Sequence, residues 1–387
     1  MKKLTAIVLC TAASICANAQ WEITTGPSSP NVTTLEIMNE GLYAGGSTGS
    51  STMGGFRTYD DGDTWALTGT NSNAIFKCYG VNLITGAIYA GSALGFYQSV
   101  DNGETYTNTS TGLSSNNVND IFVDGLNIYA ASADGIDIST NGALNWSPII
   151  QDIFVRRMDK SGNTIIAGAI STGVHFSTDN GAIWANPIEG LPNSVNDVKI
   201  VGPNFLLGTN FGTYISTDNG ETWTVTELTF TTNCFHQIGS TVFAGTTDEG
   251  VFYSTDGGLT WTASSENLSN MTVFSLAHNE TYLFAGTTGS VFRRPLSDFD
   301  FITSVSNRDE LATDIVFAPN PSNGIFTISL SDVKETPIEV YNIAGQLVYT
   351  NILTSKMTTV DLSNQPKGIY FVGIGGNKIG NYKIVIH

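Results

Sequence analysis

An eight-residue pattern, Ser-x-Asp-x-Gly-x-Thr-Trp, recurs along this chain at a nearly fixed interval and limits what the chain can fold into. Good copies occupy residues 58–65 (TYDDGDTW), 99–106 (SVDNGETY), 177–184 (STDNGAIW), 216–223 (STDNGETW) and 254–261 (STDGGLTW). A worn copy at 139–146 (STNGALNW) carries Asn141 where the others carry Asp. The closing aromatics Trp65, Tyr106, Trp146, Trp184, Trp223 and Trp261 are 41, 40, 38, 39 and 38 residues apart. A period of this size is the signature of a repeat architecture, in which each unit is one supersecondary element that cannot bury its apolar face alone.

Each copy follows a short apolar run, such as residues 212–215 or 250–253. The Asp-Asn-Gly or Asp-Gly-Gly that comes next reads as a tight turn. The Asp is expected to accept backbone N–H groups two residues on, and the Gly takes the positive φ that a hairpin turn needs. The aromatic then starts the outgoing strand and buries a large face. The predicted staples are therefore Asp60, Gly62 and Trp65; Asp101, Gly103 and Tyr106; Asp179, Gly181 and Trp184; Asp218, Gly220 and Trp223; and Asp256, Gly258 and Trp261. A Ca²⁺ loop needs oxygen ligands at alternating positions, and the nearest candidate, residues 60–63, is too short for one. No metal or cofactor is expected. The pattern resembles the Asp-box, or BNR repeat, of sialidases, xyloglucan-active glycosidases, sortilin-like receptors and plastid assembly-factor propellers. In those families the box is a structural turn far from the working face, so the resemblance implies architecture and not activity.

A second signature, an aromatic or aliphatic residue followed by Ala-Gly or a close variant (Ala-Ala at 130–131, Leu-Gly at 207–208), appears seven times: at 43–45, 89–91, 129–131, 166–168, 206–208, 243–245 and 284–286. The seventh unit has no box after it. The missing piece stands at the other end, where Trp21-Glu22-Ile23-Thr24 looks like a post-box segment such as residues 261–264. Ring closure explains both facts. The N-terminus supplies the outer strand of the last unit, and seven units of about four short strands make a seven-bladed β-propeller. An open solenoid would need polar capping repeats at both ends, and the sequence has none.

Residues 1–19 read as a signal peptide, with a basic start, a short apolar core and cleavage between Ala19 and Gln20. That apolar run is too short to cross a membrane as a helix, and no transmembrane span is expected. The propeller is assigned to residues 20–302 and a polar linker to 303–313. Residues 314–387 read as about six short strands, a small Ig-like β-sandwich in an all-β chain. This segment resembles the C-terminal sorting domain of proteins exported by the type IX secretion system. The resemblance rests on Pro-Asn-Pro-x-x-Gly at 319–324, Val-Tyr-Asn-Ile-Ala-Gly at 340–345, Lys-Gly-Ile-Tyr at 367–370 and Lys-Ile-Val at 383–385. It implies passage through the periplasm, the type IX machinery as partner, and a secreted or surface-held mature protein.

The chain carries a net charge of −18. Residues 20–310 hold nine basic side chains against 29 acidic ones, so the acidity belongs to the propeller. Such a surface repels nucleic acid and anionic membranes. Cys78 and Cys234 are expected as separate buried thiols. The four His residues are scattered, with no pair at ligand spacing on one element. A sialidase holds its substrate carboxylate with three Arg residues, a role suited to the bidentate guanidinium fork. Here Arg156 and Arg157 are adjacent, as are Arg293 and Arg294, and adjacent residues on a strand point to opposite faces. A xyloglucanase-like hydrolase would need two facing carboxylates. The candidates are Asp120 and Asp197, at equivalent positions of innermost strands, with Asp124, Asp134, Asp248 and Glu249 in loops. The loops between second and third strands are short except for the Gly/Ser-rich one at 46–55 in the first unit, which suits a flat binding platform. The favoured expectation is a non-catalytic module for an extracellular glycan or protein, with a secreted glycoside hydrolase as the alternative.

Overall fold

The computed structural model describes residues 20–27, 31–46, 55–185, 191–299, 316–318, 322–329, 336–342, 347–374 and 382–386. The expected signal peptide and linker lie outside them, as do most of the Gly/Ser-rich loop of the first unit and residues 319–321 and 343–346 of the tail motifs.

The chain is a run of short strands. The outer strands are exposed along most of their length, as at Thr107–Asn108 and Thr224–Val225, while the second strand of each unit, such as Asn204–Thr209, is buried almost throughout. Among the described residues, seven antiparallel sheets precede the tail, six with four strands and one with three. The three-stranded sheet is the fourth, where a single bridge between Phe176 and Ala185 stands in for the outer strand. The innermost strands are Thr34–Met38, Phe76–Val81, Val118–Asp124, Phe154–Ser161, Val195–Val201, Thr232–Ile238 and Val273–His278. Each packs on the next, and the seventh packs on the first, which closes a ring of seven blades around an axis.

The closure is the one expected from the sequence. Glu22–Ile23 pairs with Val291–Pro295, placing Glu22 opposite Arg293 and Ile23 opposite Phe292. Trp21 is fully buried among Phe243, Val273, Leu283 and Phe292. Its indole N–H donates to the Ser264 carbonyl at 2.7 Å, and its backbone N–H donates to the Glu266 carbonyl at 3.0 Å. Trp21 thus occupies the wedge between blades six and seven, as Trp261 does between blades five and six. At about 25 cal/mol per Å², a buried indole of roughly 200 Å² contributes about 5 kcal/mol.

The boxes are turns between third and fourth strands, all built alike. The Ser216 hydroxyl donates to Asp218 Oδ1 at 2.7 Å and accepts the Gly220 N–H at 2.8 Å. Asp218 Oδ1 accepts the Thr222 N–H at 2.9 Å, and Oδ2 accepts the Thr222 hydroxyl at 2.5 Å. The carboxylate therefore reaches four residues on and not the two expected. The cause is one extra left-handed residue ahead of the Gly, Asn219 at φ 58°, which widens the loop until the carboxylate sits beneath all of it. Asp60, Asp101, Asp179 and Asp256 make the corresponding backbone bonds to Thr64, Thr105, Ile183 and Thr260. In the worn box the Asn141 amide oxygen takes the same place, accepting from the Ser139 hydroxyl and the Asn145 N–H, both at 3.0 Å.

The tail folds into two sheets, one of three strands and one of four. Seven strands are present against the six or so expected. Side chains two apart on each strand, such as Phe326 and Ile328, Ile338 and Val340, and Tyr370 and Val372, meet in one apolar core.

Two outcomes are expected. Replacing Trp21 with Ala empties a close-packed wedge and should cost about 3–5 kcal/mol, read as a lower denaturant midpoint for the propeller; an unchanged midpoint would refute the seam. The second concerns acid. Hydrogen bonds from the Thr64, Thr105 and Thr222 hydroxyls, with the rest of each box, hold Asp60, Asp101 and Asp218 down to about 2. Because these folded-state values lie below the ordinary 3.8, the stability they contribute is complete above pH 3.8 and is lost as pH falls towards about 2. Asp218→Ala should flatten part of that acid limb, whereas Asp218→Asn, which copies Asn141, should cost less stability at neutral pH than the Ala variant.

Candidate functional site

The innermost strands carry the chemistry of the axis. Six of the seven break register near their start, between Phe76 and Cys78, Val118 and Asp120, Val155 and Arg157, Val195 and Asp197, Thr232 and Cys234, and Val273 and Ser275. A bulge of this kind re-aims a side chain and leaves one residue outside the ladder. The residue after each bulge lines an axial channel, a cavity of about 410 Å³ walled by all seven blades.

Asp120 and Asp197 are both there, as equivalent positions should be. Their oxygens are occupied. Asp120 Oδ2 accepts the Met158 N–H of the next blade at 2.8 Å, and Oδ1 accepts the Ile121 N–H at 3.0 Å. Asp197 Oδ2 accepts the Phe235 N–H at 2.6 Å, again one blade on, and Oδ1 accepts the Val198 N–H at 2.9 Å. One blade-turn deeper, Asp159 repeats the device on the Ile200 N–H at 2.8 Å and pairs with Lys199 at 3.0 Å. These carboxylates join neighbouring blades, each accepting a backbone N–H from the innermost strand of the blade that follows. Arg157 stands on the blade between Asp120 and Asp197. Burial opposes its charge, but the two carboxylates hold it protonated. Burial also pushes the Asp197 carboxyl up to about 7, against Arg157 and the Phe235 N–H. Glu36, open to the channel space yet enclosed by the ring, is raised to about 7 by burial and by Asp120. Its carboxylate was not picked out from the sequence, because only the ring brings residue 36 beside residue 120.

Two expectations need correcting. His236 and His278 are not scattered: His236 Nε2 lies 2.7 Å from His278 Nδ1, on the innermost strands of blades six and seven. Burial, with His278 and Lys199 alongside, depresses His236 well below the ordinary imidazole value. The signal was their separation of 42 residues, one repeat. Nor do Arg156 and Arg157 diverge. The bulge at Val155/Arg157 interrupts alternation, and both border a second cavity. Cys78 and Cys234 are free and buried on the channel wall, with both thiols pushed up by burial.

The second cavity, about 590 Å³, opens at the channel mouth on the face opposite the boxes. Ile75, Leu94, Phe154 and Ile170 form apolar walls; Lys77, Arg156 and Arg157 supply the charge. Among the described residues no carboxylate lines it.

Asp197→Asn keeps one acceptor and turns the other into an N–H facing the Phe235 or Val198 N–H. It should lower stability by about 1–3 kcal/mol, the cost of one buried unpaired group. The Asp197 carboxyl stands above its ordinary value in the folded chain, so its contribution is greatest below pH 3.8 and shrinks as pH rises through about 7. The variant should lose that slope in chemical-denaturation series across pH 4–7; a stability equal to wild type at every pH would remove Asp197 from its stapling role.

Comparison with known proteins fits this geometry. The secretion system C-terminal sorting domain matches residues 316–387, and the BNR/Asp-box repeat matches residues 214–225 and 252–263. No curated protein matches the chain. Solved structures similar in fold include YCF48 from Cyanidioschyzon merolae, at 12% identity and TM-score 0.57, covering 73% of this chain and 100% of that one. The GH74 xyloglucanase from Xanthomonas campestris matches at 13% identity and TM-score 0.56, over 80% of this chain and 59% of its own. PorZ, a surface component of the type-IX secretion system of Porphyromonas gingivalis, matches at 13% identity and TM-score 0.55, over 94% of this chain and 60% of its own. The chain thus spans about three-fifths of the length of the last two, and at these identities the likeness is one of fold. Among the described residues no helix is long and apolar enough to cross a membrane. The chain is a β-propeller carrying Asp-box repeats and ending in a type IX sorting domain, the mark of a protein sent to the cell surface or released.

Proposed function

We propose that the propeller is a non-catalytic binding module for an extracellular glycan or protein, working on the cell surface or beyond it. The observation that carries this reading is the mouth cavity. It is the open, apolar-walled space on the face with the short second-to-third loops, and no carboxylate among its described lining faces another across it. Glycoside hydrolysis by the two-carboxylate route needs such a pair. The residues first suspected of that role, Asp120 and Asp197, have their oxygens engaged by backbone N–H groups. We read residues 20–302 as the working module, 303–313 as a linker and 314–387 as the export address recognised by the secretion machinery, with residues 1–19 serving inner-membrane export. A hydrolase is the second reading, favoured by Glu36, whose carboxyl is raised to about 7 beside Asp120, as a general acid requires.

The test uses the purified full-length chain on a panel of polysaccharides, sialoglycans and surface proteins, reading retention and sugar release from the same wells. Retention without release is expected. Release abolished by Glu36→Gln in a folded variant would overturn the binding reading and establish the hydrolase.

A further inference from the structure

The repeat supplies its own control at the mouth. In blades three, five and six the residue left out at the bulge is Asn, and its amide donates to a carbonyl of the next blade: Asn119 to Val155 at 2.9 Å, Asn196 to Thr232 at 3.1 Å, Asn233 to Val273 at 2.9 Å. This is what the position does when it serves the ring. In blades two and four the same position holds a cation, and the bond to a backbone carbonyl of the next blade is absent from both. Each cation reaches a side-chain amide of the next blade instead, Lys77 Nζ donating to Asn117 Oδ1 at 2.5 Å and Arg156 Nη1 to Asn196 Oδ1 at 3.0 Å, which leaves further N–H donors on each. Beside them Arg157 takes the ring position held by Asp in blades three and five, and donates to the Asn119 and Arg156 carbonyls at 2.8 and 3.0 Å. Neither Lys77, Arg156 nor Arg157 forms an ion pair with any described carboxylate. Nine basic residues serve 29 acidic ones in residues 20–310, so two cations at one cavity, Lys77 and Arg156, without an ion-pair partner are out of keeping with the rest of that surface, while Arg157 beside them stands in the field of Asp120 and Asp197.

We infer that this mouth is an anion-binding subsite for a carboxylate carried on an apolar body. Lys77 and Arg156 engage the carboxylate, Arg through its planar fork and Lys as a point charge. Arg157 lies below them, balanced by Asp120 and Asp197. Ile75, Leu94, Phe154 and Ile170 receive the apolar part. The wall excludes a strongly hydrated anion such as a uronic acid as the preferred occupant, because burying its hydroxyls against aliphatic side chains leaves them unpaired. The proposal rests on the binding reading above and narrows it to one ligand chemistry. That chemistry occurs both at the C-terminus of a peptide with an apolar last residue and in a short acyl chain.

Calorimetric titration of the full-length chain separates these. The probes are N-acetyl-leucine, hexanoate, the uncharged hexanamide and glucuronate. Saturable binding of N-acetyl-leucine or hexanoate is expected, at least tenfold tighter than hexanamide or glucuronate, and weakening as NaCl rises. The tighter of the two names the source, peptide or acyl. Lys77→Gln and Arg156→Gln should each lose tenfold or more. Should either Gln variant fail to fold, Lys77→Arg and Arg156→Lys keep the charge, and Arg156→Lys should weaken binding without abolishing it. Equal binding of hexanamide, a preference for glucuronate, no saturable binding of either carboxylate, or folded Gln variants that bind like wild type would each overturn the inference. If the panel yields a retained partner that Arg156→Gln still retains, only the carboxylate falls. If the panel yields sugar release instead, the binding reading falls with it.

Discussion

Backbone hydrogen bonding at the seam is the constraint on which the ring depends. Any sheet leaves N–H and C=O groups unpaired at its edges, and a blade that ends on its third strand would expose such an edge to pairing with other chains. Here the edge of the seventh blade is taken by residues 22 and 23, contributed from the far end of the propeller, and locked by the buried indole of Trp21. Every other blade completes itself through its own box turn or a local bridge. With the seam made, the seven innermost strands converge, and only then do a channel and a mouth exist. The axial cavity therefore belongs to no single repeat.

What could be read from the sequence divides along the range of the interactions involved. The boxes were legible because Ser216, Asp218, Gly220 and Thr222 bond to one another within seven residues of chain, so the chemistry leaves a local mark. The seam was legible because a missing outer strand at one end matched a surplus one at the other. The mouth was not, because alternation along a strand predicts opposite faces for Arg156 and Arg157 and the bulge cancels it. Nor were the His236–His278 contact and the enclosure of Glu36, which require residues one or more repeats apart to be recognised as neighbours around a ring. A period of about forty residues held that information, but only for a reader who compared equivalent positions instead of scanning for spaced motifs.

The same comparison sorts structural from functional polar residues inside the ring. Asp120, Asp159 and Asp197 are acidic and near the axis, which in a single-domain reading marks them for catalysis. Set beside one another they perform one task, receiving the N–H group of the following blade. For Asp120 and Asp197, burial that raises the carboxyl is therefore a consequence of stapling and not a sign of acid–base work. At the position of Asp120 and Asp197, blade four carries Arg157 instead, which donates to backbone carbonyls where the carboxylates accept.

The strand partnership between residues 22–23 and 291–293 also has a kinetic side. Contacts between residues some 270 positions apart are the slowest to form, because a long loop must be closed before the pairing repays it. A chain delivered from its N-terminus holds residues 21–24 in waiting until the seventh blade has emerged, so the ring is the last thing to assemble. Until that pairing forms, the third strand of the seventh blade, Val291–Pro295, keeps an unpaired edge.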